Sequence, residues 1–478
     1  MNDVKAAPAA VGAAAVTVEK NVPAAMRDGV VLRSDLYRPA SGGRHPVLIQ
    51  RTPYNKELLS LTGVTLDPIR AAQAGYNVVI QDVRGRFASD GGPFYLYRNE
   101  AADGFDTANW AAAQPWSDGN VGQYGVSYMG GTSWHTAVQA PASLRAISPT
   151  TAPSDLWADH LWRNGVLHWG LLVFWALGGI APAALLRAKK GKPELFPSFL
   201  ELVENIDRYD ERVRQLPLKA FAPARPGDAS VVPFFFDLLE HRVPDDWTRS
   251  LLVAGKHGSV KVPALIIAGW HDLLLEGDLA HYAGMKRDAA TESARRGTRI
   301  VIGPWTHGMF LNTVGDLDFG MRANGMFMDL REDLTSLQLR WFDRWLKGGK
   351  GGTDDEAPVK LFVQGLNRWR DEAAWPLARA KATPLYLRAG RKLSADPPRD
   401  ERSDSFTYDP NDPCPTCGGP LLMPNTWRRG PVDQAPLLSR RDVLVYTSEP
   451  VPKDPPYCTP PSSASSTTRS AHRISSCR

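Results

Sequence analysis

Cysteine is scarce in this sequence, with four residues among 478, at positions 414, 417, 458 and 477. A small scaffold held together by disulfides needs many more, so that class of protein is excluded. Scarce cysteine also suits a reducing compartment, and we predict a cytoplasmic protein. Cys414 and Cys417 form one Cys-x-x-Cys pair, whereas a structural zinc site needs two further ligands at close spacing. We therefore expect no metal.

The sequence also lacks a strong excess of either charge. Its 56 Lys and Arg residues exceed its 51 Asp and Glu residues by five, without long basic runs. This balance argues against a protein dedicated to binding nucleic acid. The first twenty residues contain no strongly apolar core of the kind that a secretory signal has. We expect a frayed N-terminal arm there.

One long stretch, 165–186, has no formal charge. Its 22 residues would be long enough to span a bilayer. However, it contains His168, four glycines and Pro182, and it lies mid-chain between segments typical of soluble proteins. We therefore predict a buried helical hairpin or cap, and no membrane partner.

Hydrophobic residues make up 43% of the chain and charged residues 22%, the usual composition of a globular protein with a large core. Short apolar runs alternate with helical patterns in the first third, and the alternation resumes after residue 260. This arrangement predicts an α/β protein with a mostly parallel sheet covered by helices on both faces. The predicted strands are 30–37, 46–51, 77–83, 120–127, 262–269 and 298–304, with a helix at 100–114.

Residues 150–250 interrupt this alternation, since they are first rich in Trp and then charged and helical. We interpret them as a helical cap inserted between two halves of the core, 20–149 and 251–347. After a glycine-rich linker, short strand-like runs predict a β domain at 358–450. The tail, 451–478, is rich in Pro, Ser and Thr, and we expect it to be disordered.

The strongest chemical signal is the segment GVSYMG at 125–130, which follows a predicted strand and precedes a helix. A serine on such a tight turn presents its hydroxyl beside a helix N-terminus that can hold an oxyanion. Taken alone, Ser127 could equally be the N-cap of the helix, because Met129 stands where the usual elbow has glycine.

Two downstream residues support a catalytic serine. Asp272 directly follows the strand at 262–269, and His307 directly follows the strand at 298–304. Ser, then acid, then His, each after a strand, is the order that hydrolases on this kind of sheet use. His271 is a rival base, but neighbouring residues on one loop point apart.

The sequence resembles the cocaine-esterase-like branch of the α/β-hydrolases, a group that also contains α-amino-acid ester hydrolases and X-Pro dipeptidyl peptidases. The resemblance covers the chain from about residue 20 to 450. It implies an α/β-hydrolase fold with a helical cap and a C-terminal β jelly roll. The segments that carry it are MRDGVVLRSDLYRP (26–39), RTPYNK (51–56), GYNVVIQDVRGRFASDG (75–91), DGNVGQYGVSYMGG (118–131), AGWHD (268–272), IGPWTH (302–307), LFVQGLNRWRDEAAWP (361–376) and RRDVLVYTSEP (440–450).

The resemblance implies roles for individual residues. Ser127 matches the nucleophile, Asp272 the acid and His307 the base of a catalytic triad. Tyr54 matches a tyrosine whose phenol shares the oxyanion hole with the backbone N–H of Tyr128. No cofactor is needed for this chemistry.

The resemblance also implies supporting residues around the site. We interpret Asp82 and Arg84 as an Arg–carboxylate pair that stiffens the loops near the site. Apolar positions that match the acyl pocket are Trp175, Leu274, Leu422 and Met423, and further aromatic residues of the cap are Trp157, Trp162, Trp169 and Phe174.

These features predict a serine esterase for substrates with an apolar or aryl acyl group. One alternative uses the same catalytic residues but acts on α-amino esters or X-Pro peptides. Asp155 or Asp159 would then bind the ammonium group of the substrate. Another is an inactive, truncated family member, since 358–450 supplies about four strands of a jelly roll that needs about eight. We expect a small-molecule ester as the partner, and the oligomeric state stays open, with a homodimer as one option.

Overall fold

The computed structural model describes residues 14–155, 159–163, 165–189, 196–221, 232–251, 253–349, 356–399, 402–424 and 427–450. Trp157, which we predicted as a cap aromatic, and the predicted disordered tail lie outside the described residues.

The strands of the protein fall into one central sheet and several short pairs. In chain order they are β1 (Val16–Ala25), β2 (Val31–Pro39), β3 (His45–Thr52), β4 (Asn77–Asp82), β5 (Ser117–Val126), β6 (Leu144–Thr150), β7 (Trp162–Arg163), β8 (Val166–Leu167), β9 (Leu265–His271), β10 (Arg299–Thr306), β11 (Thr313–Val314), β12 (Leu317–Asp318), β13 (Val359–Val363), β14 (Arg368–Glu372), β15 (Tyr386–Arg388) and β16 (Lys392–Ser394).

Ten of these strands form the central sheet, in the order β1-β2-β4-β3-β5-β6-β9-β10-β13-β14. The run from β4 to β13 is parallel, whereas β1 and β2 at one edge and β14 at the other are antiparallel to their neighbours. The six predicted core strands are all present. The parallel ones are easy to recognise because both faces are buried, which makes each a continuous apolar run.

The helices are α1 (Leu59–Thr62), α2 (Pro68–Gln73), α3 (Glu100–Ala112), α4 (Tyr128–Gln139), α5 (Trp169–Phe174), α6 (Ala181–Lys189), α7 (Phe196–Asp207), α8 (Tyr209–Arg212), α9 (Pro233–Glu240), α10 (Asp246–Ser250), α11 (Leu275–Asp288), α12 (Glu292–Gly297) and α13 (Leu334–Leu346). One face of the sheet packs against α3, α4 and α11, and the opposite face packs against α2 and α13. This is the α/β arrangement that we predicted, and it directs the carboxyl ends of the parallel strands toward one edge of the sheet.

From Trp169 onward, the uncharged stretch forms one helix of the cap rather than a helical hairpin. Helix α5 continues through a π-helical segment, Trp175–Ile180, directly into α6. Pro182 lies in the first turn after the π segment. Because proline has no backbone N–H, it cannot donate a hydrogen bond to a carbonyl of the preceding turn. Among the described residues, Trp169–Ala188 is the helix with the length and apolar composition of a membrane span, and 44% of its most apolar window is buried in the protein.

Two other expectations about the chain differ from the structure. The expected N-terminal arm contains β1, which pairs with β2 as an edge strand and leaves most of its side chains exposed. We expected the β domain to begin at 358, but β13 and β14 extend the central sheet. The described part of 402–450 contains turns, one short 3-10 helix at Ala435–Leu437 and isolated bridges, of which one lies between Gly419 and Gly430. Of the predicted strands there, SFTY forms no strand and VLVYT pairs at Thr447 alone.

Substitution of Phe342 in α13 would test the packing of this helix against the central strands. It is fully buried, and a Cβ at Gly122 of β5 would lie 2.7 Å from its ring. We expect Phe342→Ala to lower the free energy of unfolding by about 3–5 kcal/mol, and Phe342→Leu to lower it less. Urea titration followed by tryptophan fluorescence measures both. If both variants lose the same free energy of unfolding, the space under the strands is not filled by the Phe342 ring.

Candidate active site

Ser127 lies on a strained turn between β5 and α4. Its backbone has φ 59° and ψ −124°, and residues other than glycine rarely adopt such a positive φ. Its N–H donates to the carbonyl of Thr150, at the end of β6. The turn therefore holds the hydroxyl at the carboxyl edge of the sheet, as a nucleophile elbow requires.

Two glycines make this turn possible. A Cβ at Gly125 would lie 2.5 Å from Cβ of Met129, and a Cβ at Gly130 would lie 3.0 Å from the carbonyl oxygen of Thr150. Helix α4 thus approaches β6 at Gly130, one position later than in the usual elbow. Met129 itself is buried on the face of the sheet that packs against α13, which explains why the departure from the usual pattern is tolerated.

Asp272 and His307 meet Ser127 at this edge. Each follows its strand directly, because β9 ends at His271 and β10 ends at Thr306. Nδ1 of His307 lies 3.0 Å from both carboxylate oxygens of Asp272, and Nε2 lies 2.8 Å from Oγ of Ser127. The backbone N–H of Leu274 donates to Asp272. The three side chains form one continuous hydrogen-bonded line.

His271, the rival base, points elsewhere. Its ring stacks on Phe319, with the ring centroids 6.1 Å apart. Burial lowers its pKa to about 4. It therefore has no part in the line to Ser127.

Tyr54 follows β3 and places its phenol near Ser127, in the lining of the same cavity. Nε1–H of Trp175 donates to the phenol oxygen at 2.9 Å. Burial raises the pKa of Tyr54, so the phenol keeps its proton. Because the indole already occupies one acceptor position of the oxygen, the phenol O–H stays available as a donor toward Ser127.

Tyr128 is the first residue of α4, so its backbone N–H is among the helix amides that have no carbonyl partner within the helix. Its side chain is held by two hydrogen bonds of the phenol. The phenol donates to Glu100 at 2.8 Å and accepts from the N–H of Tyr97 at 3.2 Å. Glu100 in turn forms a buried ion pair with Arg51 at 2.7 Å.

Asp82 and Arg84 do not pair with each other as we expected. Arg84 binds Asp103 and Asp28, at 2.6 and 2.7 Å. Asp82 accepts from the backbone N–H groups of Lys56 and Ala88, and burial raises its pKa to about 6. Asp82 ends β4 and Arg84 lies two residues later in the following loop, and each side chain binds other partners.

Arg86, which the sequence reasoning missed, connects the core to the cap. Its buried guanidinium donates to the carbonyl of Pro53 at 2.7 Å and to the carbonyl of Ile180 at 2.8 Å. Ile180 ends the π-helical segment that also carries Trp175. Arg86 therefore joins the Tyr54 loop to the helix whose indole contacts Tyr54. Arg86 lies in the segment QDVRGRF, but its position in the sequence does not indicate a contact with the cap.

The site opens into a small, mainly apolar cavity. Trp175, Leu274 and Leu422 line it, as we predicted. Met423 does not line it, since its sulfur lies 3.3 Å from the phenol oxygen of Tyr209, against the cap. The full lining is Tyr54, Tyr97, Ser127, Tyr128, Pro153, His160, Leu161, Leu171, Trp175, Leu273, Leu274, His307 and Leu422.

The other predicted cap residues lie outside this lining. Trp169 donates to the carbonyl of Val213, and Trp162 and Phe174 pack against the cap core. Asp159 is buried against Ser154, which donates to it at 2.5 Å, and burial raises the pKa of Asp159 to about 7. Neither Asp159 nor Asp155 lines the cavity.

Within the described ranges, no group of three or more His, Cys, Asp or Glu side chains could hold a metal ion. Cys414 and Cys417 are free thiols.

Comparison with known proteins shows the family of the chain. Residues 28–309 match the family model of the X-Pro dipeptidyl-peptidase (S15 family). The chain belongs to this family. Residues 351–455 match the model of the X-Pro dipeptidyl-peptidase C-terminal non-catalytic domain, so this family member also carries the C-terminal region of the fold.

Individual relatives agree with this assignment. The chain is 35% identical to the cocaine esterase of Rhodococcus sp. (strain MB1 Bresler) over 445 residues, which cover 91% of this chain and 74% of that protein. Its relatives in the family are hydrolases, and this chain is a hydrolase.

Two solved structures show the same fold at 24% identity. An aminopeptidase from a marine sediment archaeon, Thaumarchaeota archaeon, has a TM-score of 0.72, with coverage of 91% of this chain and 72% of that one. An alpha-amino acid ester hydrolase has a TM-score of 0.70, with coverage of 94% and 75%.

A fluorophosphonate probe, which reacts with serines activated by a neighbouring base, is expected to label Ser127 in the folded protein. Peptide mass spectrometry locates the label, and Ser127→Ala is expected to abolish it. The control is heat-denatured protein, in which the turn and the His307 contact are lost and labelling should fall to background. Equal labelling of the Ser127→Ala variant would show that another serine is activated.

Proposed function

We propose that this hydrolase cleaves carboxylic esters with an apolar or aryl acyl group, through an acyl-enzyme on Ser127. The observation that carries the proposal is the hydrogen-bonded line from Asp272 through His307 to Ser127 at the edge of a mainly apolar cavity. Nucleophile and base are within hydrogen-bond reach, and a third group orients the base, which is the arrangement that acyl transfer needs.

In the first step, Oγ of Ser127 attacks the ester carbonyl while Nε2 of His307 takes the hydroxyl proton. Asp272 holds the Nδ1–H tautomer and stabilises the imidazolium that forms. Collapse of the tetrahedral intermediate breaks the bond to the alcohol, which leaves with the proton from His307. In the second step, water attacks the acyl-enzyme with His307 again as base, and the acid and free Ser127 are released.

The oxyanion of both intermediates needs donors that are already in place. The phenol of Tyr54 and the backbone N–H of Tyr128 are proposed to supply them. Tyr128 is buried and Tyr54 is half-buried, which supports this role because hydrogen bonds to a developing charge are strongest where water is excluded. This chemistry requires no cofactor.

The lining of the cavity favours an apolar or aryl acyl group over an α-amino acyl group. Leu161, Leu171, Leu273 and Leu274 surround the nucleophile, and no carboxylate is among the described lining residues. A bound ammonium would therefore be buried without a partner, which is costly. The Rhodococcus relative is named an esterase, which agrees with this choice, whereas the structural relative named an amino acid ester hydrolase marks the alternative.

The direct test compares hydrolysis of p-nitrophenyl butyrate by the parent protein and by Ser127→Ala and His307→Ala, purified in parallel. We expect each variant to lose at least about 10³-fold in kcat. A p-nitrophenyl ester of alanine, with its free amine, is expected to react more slowly than the butyrate.

Three outcomes would contradict the proposed function or its nucleophile. Faster reaction with the amino ester would favour an α-amino ester hydrolase. Equal background rates in all three proteins would favour an inactive chain. Equal but substantial rates would exclude Ser127 as the nucleophile.

The contact between Trp175 and Tyr54 leads to a separate prediction. Tyr54→Phe removes an oxyanion donor and is expected to lower kcat by about 10²-fold. Trp175→Phe keeps an aromatic wall but removes the N–H that orients the phenol, and we expect a loss of about tenfold. The double variant should resemble Tyr54→Phe, because the indole N–H then has no phenol to orient. Losses that simply multiply would mean that the two residues act independently.

A further inference from the structure

Arg86 brings a positive charge into the interior of the protein without an ion pair among the described residues. It is 1% exposed, and its guanidinium donates to backbone carbonyls, of Pro53 at 2.7 Å, of Ile180 at 2.8 Å and of Gly179 at 3.5 Å. These carbonyls satisfy the N–H donors but carry no net negative charge. Because a buried charge without a counter-charge is costly, the position of Arg86 calls for an explanation.

The charged groups around Arg86 do not remove this cost. Asp82 is the carboxylate whose charge acts on it, but Asp82 accepts from the backbone N–H groups of Lys56 and Ala88 and pairs with the Lys56 ammonium at 3.9 Å. The charge of Arg187 acts on Arg86 with the same sign. The surroundings of Arg86 therefore remain able to stabilise a further negative charge.

Arg86 lies next to both residues of the proposed oxyanion hole. The carbonyl that its Nε atom binds belongs to Pro53, which is bonded to Tyr54. Its guanidinium carbon lies 5.5 Å from the centre of the Phe94 ring, and that ring centre lies 5.6 Å from the ring centre of Tyr128. Its charge acts on the side chains of both tyrosines. Because Arg86 does not line the cavity, any effect on the reaction passes through these neighbours.

The proposed reaction generates the missing negative charge. Attack of Ser127 on the ester turns a neutral carbonyl oxygen into an oxyanion, so a fixed cation nearby stabilises the intermediate more than the bound ester. The phenol of Tyr54 connects the two charges. A positive charge behind a phenol makes its O–H a stronger donor, and the charge of Arg86 opposes the rise in the pKa of Tyr54 that burial causes.

We propose that Arg86 is a positioning residue whose buried charge strengthens the hydrogen bond from Tyr54 to the oxyanion. This inference rests on the proposed esterase function. Its hydrogen bonds also fix the Tyr54 loop against the helix of Trp175, so the charge and the hydrogen bonds must be separated by substitution. Lysine keeps the charge without the forked donors, whereas glutamine keeps a donor without the charge.

The first test is steady-state hydrolysis of p-nitrophenyl butyrate. We expect Arg86→Gln to lower kcat by about tenfold with KM within about twofold of the parent value, since the charge acts on the intermediate alone. Arg86→Lys should keep kcat within about threefold of the parent value. In the Tyr54→Phe background, Arg86→Gln should cause little further loss, because the phenol that transmits the charge is absent.

The second test is inhibition by propyl trifluoromethyl ketone, to which an activated serine adds to form a tetrahedral oxyanion. We expect the inhibition constant to rise about tenfold in Arg86→Gln and to change little in Arg86→Lys. Arg187→Gln is the matched control. Arg187 also joins the cap to this loop, through the carbonyls of Phe87 and Ser89 at 3.0 and 2.6 Å, but it does not bind the carbonyl that precedes Tyr54. This variant should keep the parent values.

Equal losses in Arg86→Lys and Arg86→Gln, a change confined to KM, or the same loss in Arg187→Gln would each overturn the inference. If Arg86→Gln does not fold, the pH profile of Arg86→Lys takes its place. A buried lysine loses its proton at lower pH than arginine, so kcat of this variant should fall on the alkaline side where the parent is steady. Parallel profiles would overturn the inference.

Hydrolysis of the butyrate by the parent protein tests the esterase proposal separately. If the ester is not turned over, calorimetric binding of the ketone to the parent, Arg86→Lys and Arg86→Gln still tests the role of the charge. Weaker binding in Arg86→Gln alone would support the inference, and equal or absent binding in all three proteins would overturn it.

Discussion

The strained turn at Ser127 is the constraint on which the rest of the site depends. A left-handed serine is tolerated only because Gly125 and Gly130 let helix α4 come into contact with the sheet. This contact places the hydroxyl at the carboxyl edge of the parallel strands. Because β9 and β10 end at the same edge, Asp272 and His307 reach the hydroxyl directly from their strand ends.

The cap takes part in the geometry of the site as well as covering it. Arg86 hydrogen-bonds both to the loop that carries Tyr54 and to the π-helical segment that carries Trp175, and the indole of Trp175 donates to the phenol of Tyr54. A buried guanidinium is costly unless its donors are used, and here backbone carbonyls of two elements use them. The Tyr54 side of the site is thus assembled from core and cap together.

The strands of the core could be predicted because parallel strands buried on both faces read as continuous apolar runs. The edge of the sheet could not be predicted in this way. The residues of β1 are mostly exposed and resemble a polar arm. The strand-like runs at β13 and β14 fall in the predicted β domain, because their sequences do not show which sheet they join. Which strand becomes a neighbour depends on the packing of the whole domain, and a local pattern does not contain that information.

The sequence by itself determined the α/β class, the candidate nucleophile and the order of Ser127, Asp272 and His307, because each is a local signal at the end of an apolar run. Only the tertiary structure decided what surrounds them. The contact of Arg86 with the cap and the contact of Trp175 with Tyr54 both involve an irregular insertion. Contacts between residues so distant in the chain follow from how the cap packs, and no spacing in the sequence encodes that packing.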